Sequence, residues 1–183
     1  MRVLIAYASA HGSTEEIAAR VGMVLRQNGL DADVVPAEEA PELEGYDAFV
    51  IGSAIHNSSW LTPAERFVTR KAPSFAGRPV WLFSVATVGA SSSGLGAFGT
   101  WMARKAGRLP KDLPALIART GAQGHRTFAG VIRRDDWGRV GDLFVRLMGG
   151  RYGDHRDWHD IEHWATTIAT ALTARSAAAR VQG

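Results

Sequence analysis

Two hydrophobic periods alternate along this chain, and each change of period marks a new element. Residues 2–7 run apolar after Arg2, through Val3, Leu4, Ile5, Ala6 and Tyr7, and stop at a small-residue turn over 8–12. A short unbroken run of this kind predicts a strand buried on both faces, as in a parallel sheet. From residue 13 to 28 the period becomes helical. Ile17, Val21, Val24 and Leu25 share one stripe, Glu15 and Glu16 fill the first turn, and Gly29 follows the end. Residues 30–35, 46–52, 79–84 and 125–132 repeat the strand signal. Residues 61–71 predict a helix opened by Thr62 and Pro63. The segment 36–45 is acidic and contains Pro36 and Pro41, which leaves room for a turn or two of helix at most. Asp157 precedes a long final helix over 158–175, with Asp160 as a weak capping-box partner and a stripe of Ile161, Trp164, Ala165, Ile168 and Leu172.

Strands alternating with helices imply an α/β fold with a parallel sheet and right-handed crossovers. Five strands fit the doubly wound order 2-1-3-4-5. No repeat or linker divides the chain, so residues 1–175 are expected to form a single domain and 176–183 a flexible tail. A long insertion follows strand four, over residues 85–124. It is rich in Gly, Ser and Ala over 89–97, and helices are expected near 98–107 and 112–119. An extra amphipathic helix is expected over 139–148, before the last one. Its Val140, Leu143, Phe144, Leu147 and Met148 can meet an anionic membrane or quinone, though packing on the domain is the better reading.

At 183 residues with 46% hydrophobic composition, the chain can bury a proper core. It has no cysteine, which excludes disulfides, thiolate metal sites, Fe–S clusters and cysteine nucleophiles. The N-terminal apolar run is too short for a signal-peptide core, and no stretch reaches the roughly 18 apolar residues of a membrane span. A soluble, cytoplasmic protein is expected, with room for peripheral contact at the inner face of a membrane. The formal charge is +3, and eight arginines against four acids lie from Arg119 to Arg156. That face suits an anionic partner, or it is simply a solvated surface. Nucleic acid is not expected as a partner, and the oligomeric state is left open.

The loop after the first strand reads Ser9-Ala10-His11-Gly12-Ser13-Thr14. Hydroxyls at Ser9, Ser13 and Thr14 can donate to phosphate oxygens, Gly12 lets backbone approach, and the following helix aims free N–H groups at the anion. Without a lysine it is no Walker motif, and without G-x-G-x-x-G it is no dinucleotide fingerprint. A hydroxyl-rich cap on an ordinary helix is the plain alternative. His159 to His163 matches H-x-x-E-H. With no third ligand evident, no metal site is expected there; His155, His159 and His163 read as a polar helix face.

Ser9, Gly12 and Thr14, placed straight after strand one, resemble the phosphate loop of the flavodoxin family, with His11 at a usual threonine. Residues 46–55, 82–88, 128–133 and 157–169 are similar to the subgroup of menaquinone-dependent protoporphyrinogen IX dehydrogenases. That subgroup also has a long insertion after strand four and an extra helix before the last. Its Ile-Arg-Tyr-Gly turn stands here as Ile55-His56-Asn57-Ser58, and its basic insertion is replaced by the Gly/Ser-rich stretch 89–96. The resemblance implies FMN as cofactor and electron transfer from an anionic tetrapyrrole to a quinone. Ligands of doubly wound sheets lie beyond the carboxyl ends of the strands. The flavin contacts are therefore expected from Ser9–Thr14, from Ser53, Ala54, Ile55, His56 and Asn57, and from Ser84, Val85, Ala86, Thr87 and Gly89. His56 can tune the flavin or relay a proton, or touch the ring passively. Asn57 suits a left-handed position. Trp60 either stacks on the flavin or faces the core. Arg133 and Arg134, just past strand five, are expected to meet substrate carboxylates. An electron carrier without a small-molecule substrate, and a flavodoxin-like protein that has lost FMN, are the alternatives.

Overall fold

The structure is a computed structural model, and it describes residues 1–86, 110–132 and 153–181. Five parallel strands form its centre: β1 (Arg2–Ala8), β2 (Asp31–Pro36), β3 (Ala48–His56), β5 (Val80–Ala86) and β6 (Gly124–Ala129), in the order β2-β1-β3-β5-β6. Counting these five alone, this is the expected 2-1-3-4-5 order. The short β4 (Ser59–Trp60) folds back antiparallel on the end of β3. The β7 strand (Val131–Ile132) pairs antiparallel with β8 (Gly153–Asp154).

The continuous apolar runs have a simple cause: helices cover both faces of the sheet. Val3, Ile5, Ala48, Val50 and Phe83 pack with Ile17, Val21 and Leu25 of α1 (Ser13–Gln27). The same layer includes Ile161, Ala165, Ile168 and Leu172 of the final helix, α4 (Trp158–Val181). Leu4, Ala6, Phe49, Ile51 and Leu82 face the other way. They pack on Ala64, Phe67 and Val68 of α2 (Thr62–Lys71) and on Leu113 and Leu116 of α3 (Leu113–Thr120). Each large side chain buried this way contributes about 1.5–3 kcal/mol, which disfavours a polar residue on either face of β1 as on the buried stripes of the helices.

Several boundaries differ from the sequence reading. The third strand begins at Ala48 and runs past Gly52 to His56, because its last residues gain a partner in β4. Tyr46, read as strand, is instead buried in the layer of α2, and its hydroxyl donates to Asp33 Oδ2 at 2.7 Å. The expected strand 125–132 is broken at Gly130 into β6 and β7. Gly130 N–H still donates to Ala86 O at 2.8 Å, but β7 turns away to β8. The final helix does not end at Arg175: it continues to Val181 through an alanine-rich run that includes Ala177 and Ala178, the residue type with the highest helix propensity. The helix expected near 112–119 is α3. Those expected over 98–107 and 139–148 lie outside the described residues. Among the described residues no helix is long and apolar enough to cross a membrane.

Candidate functional site

The order of strands reverses between β1 and β3, so the loops at their carboxyl ends diverge and leave a crevice. A cleft of ≈ 260 Å³ opens there. One end is formed by Ser9, Ala10, His11, Ser13 and Thr14, which follow β1. The rest is formed by Ala54, Ile55, His56 and Asn57 at the end of β3, by Val85 and Ala86 of β5, and by Gly130 and Val131.

The polar end is an anion cradle. Gly12 has φ 89, a left-handed conformation that lets the chain turn directly from strand to helix. Its N–H donates to Ser9 Oγ at 3.0 Å, and its carbonyl accepts the first α1 bond from Glu16 N–H at 3.0 Å. The N–H groups of Ser13, Thr14 and Glu15 therefore lie in the first turn, where helix geometry offers them no carbonyl. Ser13 Oγ accepts from Val131 N–H at 3.2 Å and ties the two sides of the cleft together. Thr14 Oγ1 is fully buried and has no hydrogen-bond partner among the described residues. A buried hydroxyl left this way costs about 1–3 kcal/mol. A phosphate oxygen in the cradle would remove that penalty, so the residues fit a phosphate monoester such as that of FMN. The apolar side chains of Ala54, Ile55, Val85, Ala86 and Val131 fit a flat ring at the other end.

Glu16, in the same first turn, is balanced from outside. Arg156 Nη1 reaches Glu16 Oε2 at 2.6 Å, its Nη2 reaches Asp154 Oδ2 at 2.6 Å, and its guanidinium lies 4.4 Å over the Trp158 ring. These hydrogen bonds hold the Asp154 carboxyl below its ordinary range and raise Arg156 above its own. Of the two acids of the first turn, Glu16 is thus neutralised by an arginine.

At the other rim, β3 and β4 form a two-residue hairpin whose central residues, Asn57 (φ 51) and Ser58 (φ 64), are both left-handed. That is the geometry a tight hairpin requires. Asn57 meets the expectation; Ser58 is left-handed as well, although serine rarely adopts that region.

Of the two readings of Trp60, the structure selects the core. It is 3% exposed, packs in the layer of α2, and donates from Nε1 to Ser84 Oγ at 2.8 Å. It does not line the cleft. Ser53 and Ser84 are also fully buried and support the cleft from beneath: Ser53 Oγ accepts from Leu61 N–H at 2.9 Å, and Ser84 Oγ lies 2.8 Å from His125 Nε2. Gly12 shapes the loop without lining the space. Thr87, Gly89, Arg133 and Arg134 lie outside the described residues. Gly130 and Val131 are cleft residues that the sequence reading missed; a glycine inside a strand pattern is the signal that marks them. A Cβ at Gly130 would lie 3.1 Å from Val85 Cγ1, a tight fit that a small shift of Val85 would have to relieve. The zinc-like pattern lies on α4, where Glu162 is paired with Arg20 at 2.7 Å.

Burial pushes His125 down to about 4. Its ring is therefore neutral in the native protein while an unfolded histidine protonates near pH 6.5. The unfolded chain then binds the extra proton, so stability is lost as pH falls from about 6.5 towards about 4. With the ring partly exposed, the loss is on the order of 1–2 kcal/mol. Urea unfolding at a series of pH values should show this slope in the native sequence, and His125→Gln should lack it.

Sheet order and crevice together define a flavodoxin-like α/β domain whose loop after β1 fits a phosphate. The chain belongs to the flavodoxin domain family, whose model matches residues 4–147. Among curated proteins it is similar to protoporphyrinogen IX dehydrogenase [quinone] of Escherichia coli, strains K12 and O157:H7. Each is 32% identical over 87 residues, covering 46% of this chain and 48% of the relative. The matched region thus spans about half the length of those relatives. Among solved structures, rubredoxin oxygen:oxidoreductase from Desulfovibrio gigas superposes with a TM-score of 0.64 at 18% identity, covering 96% of this chain and 37% of that one. A single-substitution variant of flavodoxin from Pseudomonas aeruginosa gives 0.57 at 14% identity, covering 94% and 99%. These structural matches establish the fold.

Proposed function

We propose that this chain is an FMN-dependent oxidoreductase that takes electrons from a protoporphyrinogen-type tetrapyrrole and delivers them to a quinone. The observation that carries the cofactor is the buried hydroxyl of Thr14, unpartnered among the described residues, at a helix N-terminus beside an apolar slot. The local identity to protoporphyrinogen IX dehydrogenase [quinone] supports the substrate class, as does the arginine-rich composition of the segment from Arg119 to Arg156.

Bound FMN supplies the redox chemistry; the protein supplies placement and electrostatics. The N–H groups of Ser13 and Thr14 and the hydroxyls of Ser9 and Thr14 hold the phosphate. Ala54–Asn57 and Val85–Ala86 border the ring. His56, exposed at the rim, is placed to carry a proton between solvent and the ring edge. Arg133 and Arg134 remain the proposed partners of substrate carboxylates. An arginine-rich segment and a lipid-soluble acceptor together favour docking at an anionic membrane surface.

The test is an anaerobic assay with protoporphyrinogen IX and a menaquinone analogue, following porphyrin fluorescence. The FMN-loaded protein should form porphyrin well above the rate of free FMN at equal concentration. Equal rates would overturn the substrate reading. A stable one-electron-reduced flavin with no porphyrin formation would point instead to an electron carrier.

A further inference from the structure

The hairpin that forms one wall of the cleft is held by a residue far away in sequence. Asp112 stands at the N-cap of α3, the position where an aspartate normally bonds its own helix, yet it makes no capping bond. Its Oδ2 instead accepts from Trp60 N–H at 3.0 Å, across 52 residues. The neighbouring Lys111 N–H donates to Ser58 O at 2.9 Å. These two bonds grip β4 and the turn, whose second central residue, Ser58, is left-handed without being glycine or asparagine, a strained conformation that its surroundings must hold in place. Asp112 Oδ1 is buried and receives no hydrogen bond from any N–H or hydroxyl among the described residues.

We propose that Asp112 is a positioning residue for the flavin-binding cleft, fixing the Asn57–Ser58 turn from behind, with the Glu65 carboxyl completing the clamp as a hydrogen-bond donor to Asp112 Oδ1. Glu65 lies on α2, and burial together with its interaction with Asp112 pushes its titration above the ordinary range. The charged groups facing it from α3 and its N-cap are Asp112 and Arg119, and Arg119 acts in the opposite direction. Two ionised carboxylates cannot bond each other; with a proton on Glu65 they can. The clamp is therefore complete below the raised titration of Glu65 and weakens as pH rises through it.

The inference rests on the FMN reading for its purpose, but its geometry is testable without flavin. Amide hydrogen exchange on the apoprotein reads the Trp60 and Lys111 N–H groups directly, with β1 as internal reference. In Asp112→Ala their protection factors should fall about tenfold relative to β1, and FMN should bind about tenfold more weakly, as expected for a lost bond to a charged group. Asp112→Asn, which keeps an acceptor for Trp60 N–H, should restore most of both. In the native sequence protection at Trp60 should decline as pH rises through the Glu65 titration, and in Glu65→Gln it should not. That comparison stands even if Asp112→Ala fails to fold. Unchanged protection in Asp112→Ala, failure of Asp112→Asn to rescue, or the same pH profile in Glu65→Gln would each overturn the proposal. If the native protein binds no FMN, the cofactor reading fails, while the exchange data still decide the clamp.

Discussion

Replacing Thr14 with valine is expected to weaken FMN binding roughly 10- to 100-fold and, at the same time, to stabilise the apoprotein. Both effects have one cause. Thr14 Oγ1 is fully buried and unpartnered among the described residues. In the apoprotein the hydroxyl is a penalty of about 1–3 kcal/mol, and valine of the same shape removes it. In the loaded protein the same hydroxyl would donate to a phosphate oxygen, a bond to a charged group and hence one of the stronger kind. The melting temperature of the apoprotein should rise by about 2–4 °C for each kcal/mol recovered. FMN titration by fluorescence quenching and apoprotein melting check the two halves. A threonine with a purely structural role would show neither loss of affinity nor the gain in stability.

Gly52→Ala is expected to be among the most damaging single substitutions in the chain. The residue lies in β3, paired with Tyr7 of β1 on one side and Phe83 of β5 on the other. A Cβ there would sit 2.0–2.5 Å from the Phe83 ring. The ring has nowhere to go. Its centroid lies 6.1 Å from Phe128 and 5.9 Å from Trp164, and Phe128 and Trp164 are themselves packed at 5.5 Å. Overpacking usually costs about 1–3 kcal/mol, and a contact this short in a ring cluster belongs at or above the upper end. Chemical unfolding should show the midpoint fall sharply. The double variant Gly52→Ala with Phe83→Leu should recover much of the loss, because the clash is between those two side chains. Independent, additive effects would contradict this account.

What can be read from the chain follows from local physics. The apolar runs over 2–7 and 79–84 announce strands buried on both faces, and the stripe from Ile17 to Leu25 announces the helix that covers one of them. The alternation implies a parallel sheet, and five strands fit its doubly wound order. The loop from Ser9 to Thr14 carries its chemistry openly, because hydroxyls, a glycine and a helix start lie next to one another in sequence. What is not legible depends on distant pairing. Trp60 can face either way until Ser84, 24 residues on, offers its indole N–H an acceptor. The turn at Ser58 is bonded to Lys111, 53 residues on, and the strand breaks at Gly130 where β7 pairs with β8. Asp112 escapes notice in the sequence because an aspartate before a helix reads as a cap, and only the folded chain shows it bonded elsewhere.

The central claim is that the cleft between the ends of β1, β3 and β5 holds FMN through the Ser9–Thr14 cradle. Titrating the purified apoprotein with FMN, and following the quenching of flavin fluorescence, tests it most directly. Saturable quenching is expected at one FMN per chain, with riboflavin, which lacks the phosphate, binding far more weakly. No quenching, or equal affinity for riboflavin and FMN, would contradict it.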